Sequence, residues 1–128
     1  MNDNELYESA LKASENAYAP YSHFRVGAAV LLENGDIVTG CNIENASYGA
    51  TMCAERVALF KTVSEGKKNI IKIAVASPDT QTAYPCGMCL QVMSELCPNA
   101  DIILGSNDGI KSYRLSDLLP FAFSLEEN

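Results

Sequence analysis

The sequence predicts an α/β fold, a mixed β-sheet with helices packed on its faces. Three observations carry this expectation. Glu33-Asn34-Gly35-Asp36 lies between two short apolar runs, and Asn-Gly suits the positive φ angles of a tight hairpin turn. Ile70 to Ala76 is a nearly continuous apolar run of strand length, the signature of a strand buried on both faces. After the hairpin, segments with apolar residues three and four apart alternate with strand-like runs, which implies helical crossovers.

The elements follow in chain order. Leu6, Ala10, Ala13 and Ala17 mark one face of a first helix. Asn2, Asp3 or Asn4 can cap it, and Pro20 ends it by disfavouring helical geometry at Ala19. Val26 to Leu32 and Ile37 to Asn42 are the two hairpin strands. A second helix runs from about Cys53 to Ser64, rich in good helix formers, with Gly66 beyond its end. The strand at Ile70 to Ala76 follows. Cys89, Val92, Met93 and Leu96 mark the inner face of a third helix, and Pro98 lies past its end. Ile102 to Leu104 and Ile110 to Arg114 are strands around the turn Ser106-Asn107-Asp108-Gly109. Ser116 caps a short last helix ending near Leu119 and Pro120.

Composition narrows the function. The 128 residues fit one domain, 1–128, with no repeat or linker to divide it. Apolar residues at 48% and charged residues at 20% describe a globular chain rather than a disordered one. Nine basic against sixteen acidic residues, net −7, argue against nucleic acid and against an anionic membrane surface. No stretch approaches the roughly 18 apolar residues of a spanning helix. The acidic start, Met1-Asn2-Asp3-Asn4-Glu5, predicts no secretory signal and a cytoplasmic location. A reducing compartment and an odd count of five cysteines disfavour a disulfide framework.

The spacing of three cysteines carries the chemistry. Cys53-Ala54-Glu55 and Pro85-Cys86-Gly87-Met88-Cys89 each open a predicted helix, with a strand between them. Cys86 and Cys89 are three apart, so their sulfurs share a helix face. Thiolates bind zinc, and a helix N-terminus favours the thiolate. Three protein ligands leave the fourth position of a tetrahedral zinc open, the catalytic arrangement, whereas four would close it. Glu55, in the first turn beside Cys53, can reach that open position and move a proton. Alone, it would read only as an acidic residue favouring its helix N-terminus. Three thiolates on one zinc leave a net negative charge. Arg56 can offset it by donating to a thiolate, or it can be a solvated helix arginine.

Cysteine, x, glutamate, then Pro-Cys-x-x-Cys is the zinc deaminase pattern. The chain resembles a small, all-cysteine-type cytidine deaminase over nearly its whole length. The likeness extends to Tyr18-Ala19-Pro20-Tyr21-Ser22, Phe24-Arg25-Val26-Gly27-Ala28-Ala29, Gly40-Cys41-Asn42-Ile43-Glu44-Asn45-Ala46 and Leu118-Leu119-Pro120-Phe121-Ala122-Phe123. It implies a three-layer α/β/α sandwich around a mixed five-stranded sheet, one zinc per subunit and a homotetramer. It also implies hydrolytic deamination of cytidine and 2′-deoxycytidine in pyrimidine salvage. Cys53, Cys86 and Cys89 match its zinc ligands and Glu55 its proton shuttle. Asn42 and Glu44 match the pair on the nucleoside sugar, with Ile43 between them. Phe24 matches an aromatic packed against the pyrimidine, and Ala54 falls among the substrate-contacting positions. Phe123 matches a ring reaching a neighbouring subunit's site, and Arg56 a partner of the zinc thiolates. The family usually has Arg-Gln-Val after the second metal cysteine of this motif. Here it is Leu90-Gln91-Val92, and Leu90 cannot donate to a thiolate.

Three other readings share parts of this pattern. A structural zinc module needs a fourth ligand from Cys41, Cys97 or His23. A polynucleotide-editing deaminase needs a basic groove or aromatic platform. A relative acting on a nucleoside antibiotic such as blasticidin S keeps the metal chemistry and changes the pocket. His23 reads as a surface residue, and Cys41 and Cys97 as free, buried thiols. Tyr48 fits either a pocket wall or a subunit contact.

Overall fold

The computed structural model describes residues 1–125, so the end of the expected domain at Asn128 lies outside the described residues. Five strands form one mixed sheet: β1 (Gly27–Leu32), β2 (Ile37–Cys41), β3 (Ile70–Ala76), β4 (Asp101–Ser106) and β5 (Gly109–Tyr113). Their spatial order is β2-β1-β3-β4-β5. Only β3 and β4 pair in parallel; the other three pairings are antiparallel. The apolar run Ile70–Ala76 is the middle strand, as its lack of alternation predicts.

Side chains alternate across the strands and build two cores. Ala28, Val30, Leu32, Ile73, Val75, Ile102 and Leu104 face α2 (Ala54–Ser64) and α3 (Gly87–Leu96), which contribute Ala58, Leu59, Cys89 and Met93. Ala29, Leu31, Ala74, Ala76 and Ile103 face α1 (Asp3–Ala13), which contributes Leu6 and Ala10. One face carries α1 alone, and the other carries α2, α3 and the short α4 (Leu115–Leu118). The result is the three-layer sandwich. No helix among the described residues is long and apolar enough to cross a membrane.

Several boundaries differ from expectation. α1 stops at Ala13 and passes through a 3-10 turn, Ser14–Asn16, so Ala17 is not on its face. The Ser14 hydroxyl donates to the Leu11 carbonyl at 2.5 Å, and Ser14 is buried where the helix end meets β1. That packing ends the helix before Pro20 does. Of the candidate caps, Asn2 is the one used: its side chain accepts from the Glu5 N–H at 2.8 Å, and Glu5 reciprocates. β4 extends to Ser106 because β5 pairs along it. Ser116 lies inside α4 rather than capping it. The cap position is Arg114, whose N–H donates to Asp117 at 2.9 Å. The hairpin turn forms where predicted, but of Asn34 and Gly35 only Gly35 takes a positive φ, +96°, and Asn34 instead accepts the Asp36 N–H on its side-chain Oδ1 at 2.9 Å.

Gly27 is required by contact rather than by dihedral. A Cβ there would lie 1.9 Å from the Ala10 carbonyl oxygen and 2.6 Å from the Ser14 nitrogen, both backbone atoms. Gly27→Ala therefore pushes α1 off the sheet and should cost about 3 kcal/mol, the upper end of the usual overpacking penalty. Denaturant unfolding measures it, and an unchanged midpoint would mean that α1 moves freely on the sheet.

Candidate active site

Cys53 and Cys86 occupy the N-cap positions of α2 and α3. Both have extended backbone and neither side chain caps its helix, so both sulfurs are free to face the space between the two helix starts. Cys89, in the first turn of α3, completes the group. Sγ of Cys86 lies 3.8 Å from that of Cys53 and 3.6 Å from that of Cys89, and all three lie within 4.8 Å of one another. A tetrahedral ion with bonds of about 2.3 Å to sulfur spaces its ligands about 3.8 Å apart. The trio therefore fits a zinc ion, with one vertex left for solvent. Among the described residues neither Cys41, Cys97 nor His23 joins the group.

The electrostatics move two of the thiols in opposite directions. Hydrogen bonds from Cys89, Arg56 and Cys86 hold the Cys53 thiol down at about 5, against the opposing effect of burial. Cys89 moves the other way, above the ordinary thiol range, through its bond to Cys53 and its burial. Arg56 Nη2 donates to Cys53 Sγ at 3.3 Å, and the Arg56 guanidinium is held more firmly protonated by that bond. Its buried Nε–H has no partner among the described residues. Leu90 is 8% exposed and packs into the core on the α2–α3 side of the sheet. It is a core residue here, and the donation falls to Arg56.

Glu55 follows Cys53 by two and is only 4% exposed. Burial, reinforced by the Cys53 thiolate, raises its carboxyl to about 7. A carboxyl near neutrality both takes and releases protons at working pH.

Part of this group opens onto a cleft of about 370 Å³; Cys89 and Arg56 are not among its lining residues. Cys53, Ala54, Glu55 and Cys86 line it together with Phe24, Asn42 and Glu44. Asn42 is also scaffold: Nδ2 donates to the Phe24 carbonyl at 2.7 Å, and Oδ1 accepts from the Val26 N–H at 2.9 Å. One N–H and one lone pair remain for a ligand. Glu44 accepts from the Tyr21 and Ser22 N–H groups at 3.0 and 3.1 Å, and from the Ser22 hydroxyl. The Ser22 bonds hold its carboxyl below the usual range. At least one of its roughly four acceptor sites stays free.

Ile43 and Phe123 are not among the lining residues. Ile43 pairs its backbone with Met52 and is 46% exposed. Phe123 is 64% exposed, and its carbonyl accepts from Gln91 Nε2 at 3.1 Å. His23 is on the surface, as predicted. Cys97 is buried, but Cys41 is only half-buried because it ends β2 at the sheet edge. Tyr48 is exposed and stands edge-on to Tyr21, outside the cleft. Ser22, Thr51, Met52, Thr80, Thr82, Ala83 and Tyr84 line the cleft without having been expected there. The loop 77–86 has no periodicity, so only its position before Cys86 hinted at a role.

Known proteins match this arrangement. Residues 1–106 match the family described as the cytidine and deoxycytidylate deaminase zinc-binding region. A cytidine deaminase of Halalkalibacterium halodurans is 49% identical, over 99% of this chain and 98% of its own length. The crystal structure of cytidine deaminase from Burkholderia pseudomallei superposes with a TM-score of 0.90 at 43% identity, covering 96% of this chain and all of that one. A blasticidin-S deaminase of Bacillus cereus is more distant, at 29% identity over 95% of this chain and 92% of its own length.

Proposed function

The chain belongs to the cytidine and deoxycytidylate deaminase family, and from that membership we propose how its residues divide the work. The reaction is hydrolytic deamination of cytidine: water adds at C4, the C4–amino bond breaks, and uridine and ammonia leave. Cys53, Cys86 and Cys89 hold one zinc ion per subunit. Bound zinc lowers the pKa of its water toward about 7, making a nucleophile available at neutral pH.

The chain's own groups do the rest. Glu55 accepts a proton from the attacking water and delivers it to ring N3, which makes C4 electrophilic. After addition it carries a proton to the departing amino group. Arg56 stabilises the Cys53 thiolate, limiting the charge that three sulfurs donate to the metal. The Phe24 ring packs on the pyrimidine, and Ala54 lies between the metal and proton-transfer positions. The free valences of Asn42 and Glu44 meet the sugar hydroxyls, with Ile43 fixing their spacing. Phe123, exposed on the tail, reaches the cleft of a neighbouring subunit. A homotetramer is supported by the apolar outer surface of α2, where Phe60 and Val63 are exposed, and by exposed Phe121 and Phe123. We place the enzyme in the cytoplasm, in pyrimidine salvage, with residues 1–128 as one domain. The acidic balance disfavours partnership with nucleic acid or an anionic membrane.

The observation that carries this reading is a buried carboxyl beside three clustered sulfurs, with Glu55, Cys53 and Cys86 all lining one cleft. The cleft lining contains no Lys or Arg and two carboxylates, which favours an uncharged nucleoside over a nucleotide phosphate. Ultraviolet absorbance tests this on a panel of cytidine, 2′-deoxycytidine, cytosine, their 5′-monophosphates and blasticidin S. The two nucleosides should be converted. Free cytosine should fall behind by about 10²-fold or more in kcat/KM, because the groups built to bond the sugar are left unpaired. Comparable values for cytosine and cytidine would remove Asn42 and Glu44 from recognition. Turnover of blasticidin S alone would select the antibiotic reading.

A further inference from the structure

Residues 18–26 and 77–86 both contribute to the cleft lining, and neither stretch belongs to the sheet apart from a single bridge at Tyr18. A chain segment without a ladder must find other partners for its backbone groups. The first loop finds them in side chains. Ser22 Oγ accepts from the Phe24 N–H at 3.0 Å, and Asn42 holds the Phe24 carbonyl and the Val26 N–H. Arg25, between them, is tied to the second loop from both ends of its peptide. Its N–H donates to Asp79 Oδ2 at 2.8 Å, and its carbonyl accepts from the Ser77 hydroxyl at 2.5 Å. Its guanidinium grips the same carboxylate twice, Nε to Oδ2 at 3.2 Å and Nη2 to Oδ1 at 2.9 Å. Asp79 is itself oriented, its N–H donating to Ser77 Oγ at 3.0 Å.

We propose that Arg25 and Asp79 form a positioning clip that fixes one wall of the substrate cleft, by tying the loop that carries Phe24 to the loop that carries Thr80. Neither side chain lines the cleft, yet each is the immediate neighbour of a residue that does. The pair is partly solvent-exposed, so its importance to global stability is small. Its importance to geometry is larger, because a fork against a carboxylate fixes orientation as well as distance. A wall that shifts between conformers lowers the fraction of clefts able to close on the base, which weakens binding before it affects proton transfer at Glu55. The inference rests on the deaminase reading.

The test is steady-state kinetics on the zinc-loaded full chain, with cytidine as substrate. Asp79→Ala removes all three contacts and should raise KM by about tenfold with kcat within about twofold. Arg25→Ala keeps the main-chain contact and should raise KM less, and Arg25→Lys should fall between it and the wild type. The double variant Arg25→Ala/Asp79→Ala should match Asp79→Ala alone, because the second change removes nothing further. Zinc content and thermal midpoints should stay near wild type. An unchanged KM in Asp79→Ala, a loss in kcat at constant KM, or effects that multiply in the double variant would overturn the clip. If Asp79→Ala fails to fold, Arg25→Ala and Arg25→Lys decide the question. Failure of the wild-type chain to convert cytidine in the same assay would fault the deaminase reading instead.

Discussion

Glu55→Gln lowers kcat for cytidine by about 10²–10⁴-fold while zinc stays near one per chain. The range is what a positioned proton carrier usually supplies. The substitution keeps the shape of the side chain and removes its ability to exchange protons. The zinc ligands are sulfurs on other residues, so metal binding has no reason to fail. A second consequence follows from burial. The carboxyl is raised to about 7 from its ordinary 4.5 chiefly by burial. A raised carboxyl costs the folded state nothing below 4.5, where it is neutral in both states. Its cost grows as pH rises and is complete above about 7. Gln carries no such cost, so the zinc-free variant should unfold at a temperature no lower than wild type at pH 8. Metal analysis, turnover and a thermal scan check the three statements. A variant with full zinc and activity within tenfold of wild type would take Glu55 out of the reaction.

Cys86→Ala abolishes zinc binding at stoichiometric metal and, with it, detectable turnover. The loss should exceed the roughly 100-fold that changes beyond the metal's own ligands cost, since one of three donors is gone. The Cys86 side chain is exposed and belongs to neither core cluster, so the sheet and its helices should persist. Circular dichroism separates loss of metal from loss of fold. Full zinc occupancy in this variant would refute the assignment of ligands. Acid should release zinc from the wild type by the same chemistry. Cys53 is depressed to about 5 from 9, so its thiolate's contribution is complete above 9 and is lost as pH falls through about 5. Zinc release on acidification is read as metal recovered after gel filtration.

The chemistry was legible because it is local. Cys53, Glu55, Cys86 and Cys89 lie within two short segments, and helix geometry alone puts Cys86 and Cys89 on one side. The five strands and four helices were legible from periodicity, and β3 could be placed centrally because both of its faces are apolar. The boundaries were less so. α1 ends at Ala13 because of its contact with β1, which no property of residues 13–20 announces. Leu90 illustrates the same limit: as a departure from a family pattern it suggested a change at the metal, whereas the fold makes it core.

What the sequence alone determined is the inventory: a mixed sheet with helices on its faces, three thiols with ligand spacing, and one acid beside them. Side-chain period and helix-start geometry act over a few residues, so they can be read in order along the chain. Only the tertiary structure decided what meets what. It seats Cys53 3.8 Å from Cys86, buries Glu55, and turns the Asn42 amide into both scaffold and cleft wall. It also joins Arg25 to Asp79, two residues far apart in the chain, beside the cleft. Those contacts span tens of residues, and their geometry is set by how the sheet and helices pack, a property that no local pattern encodes.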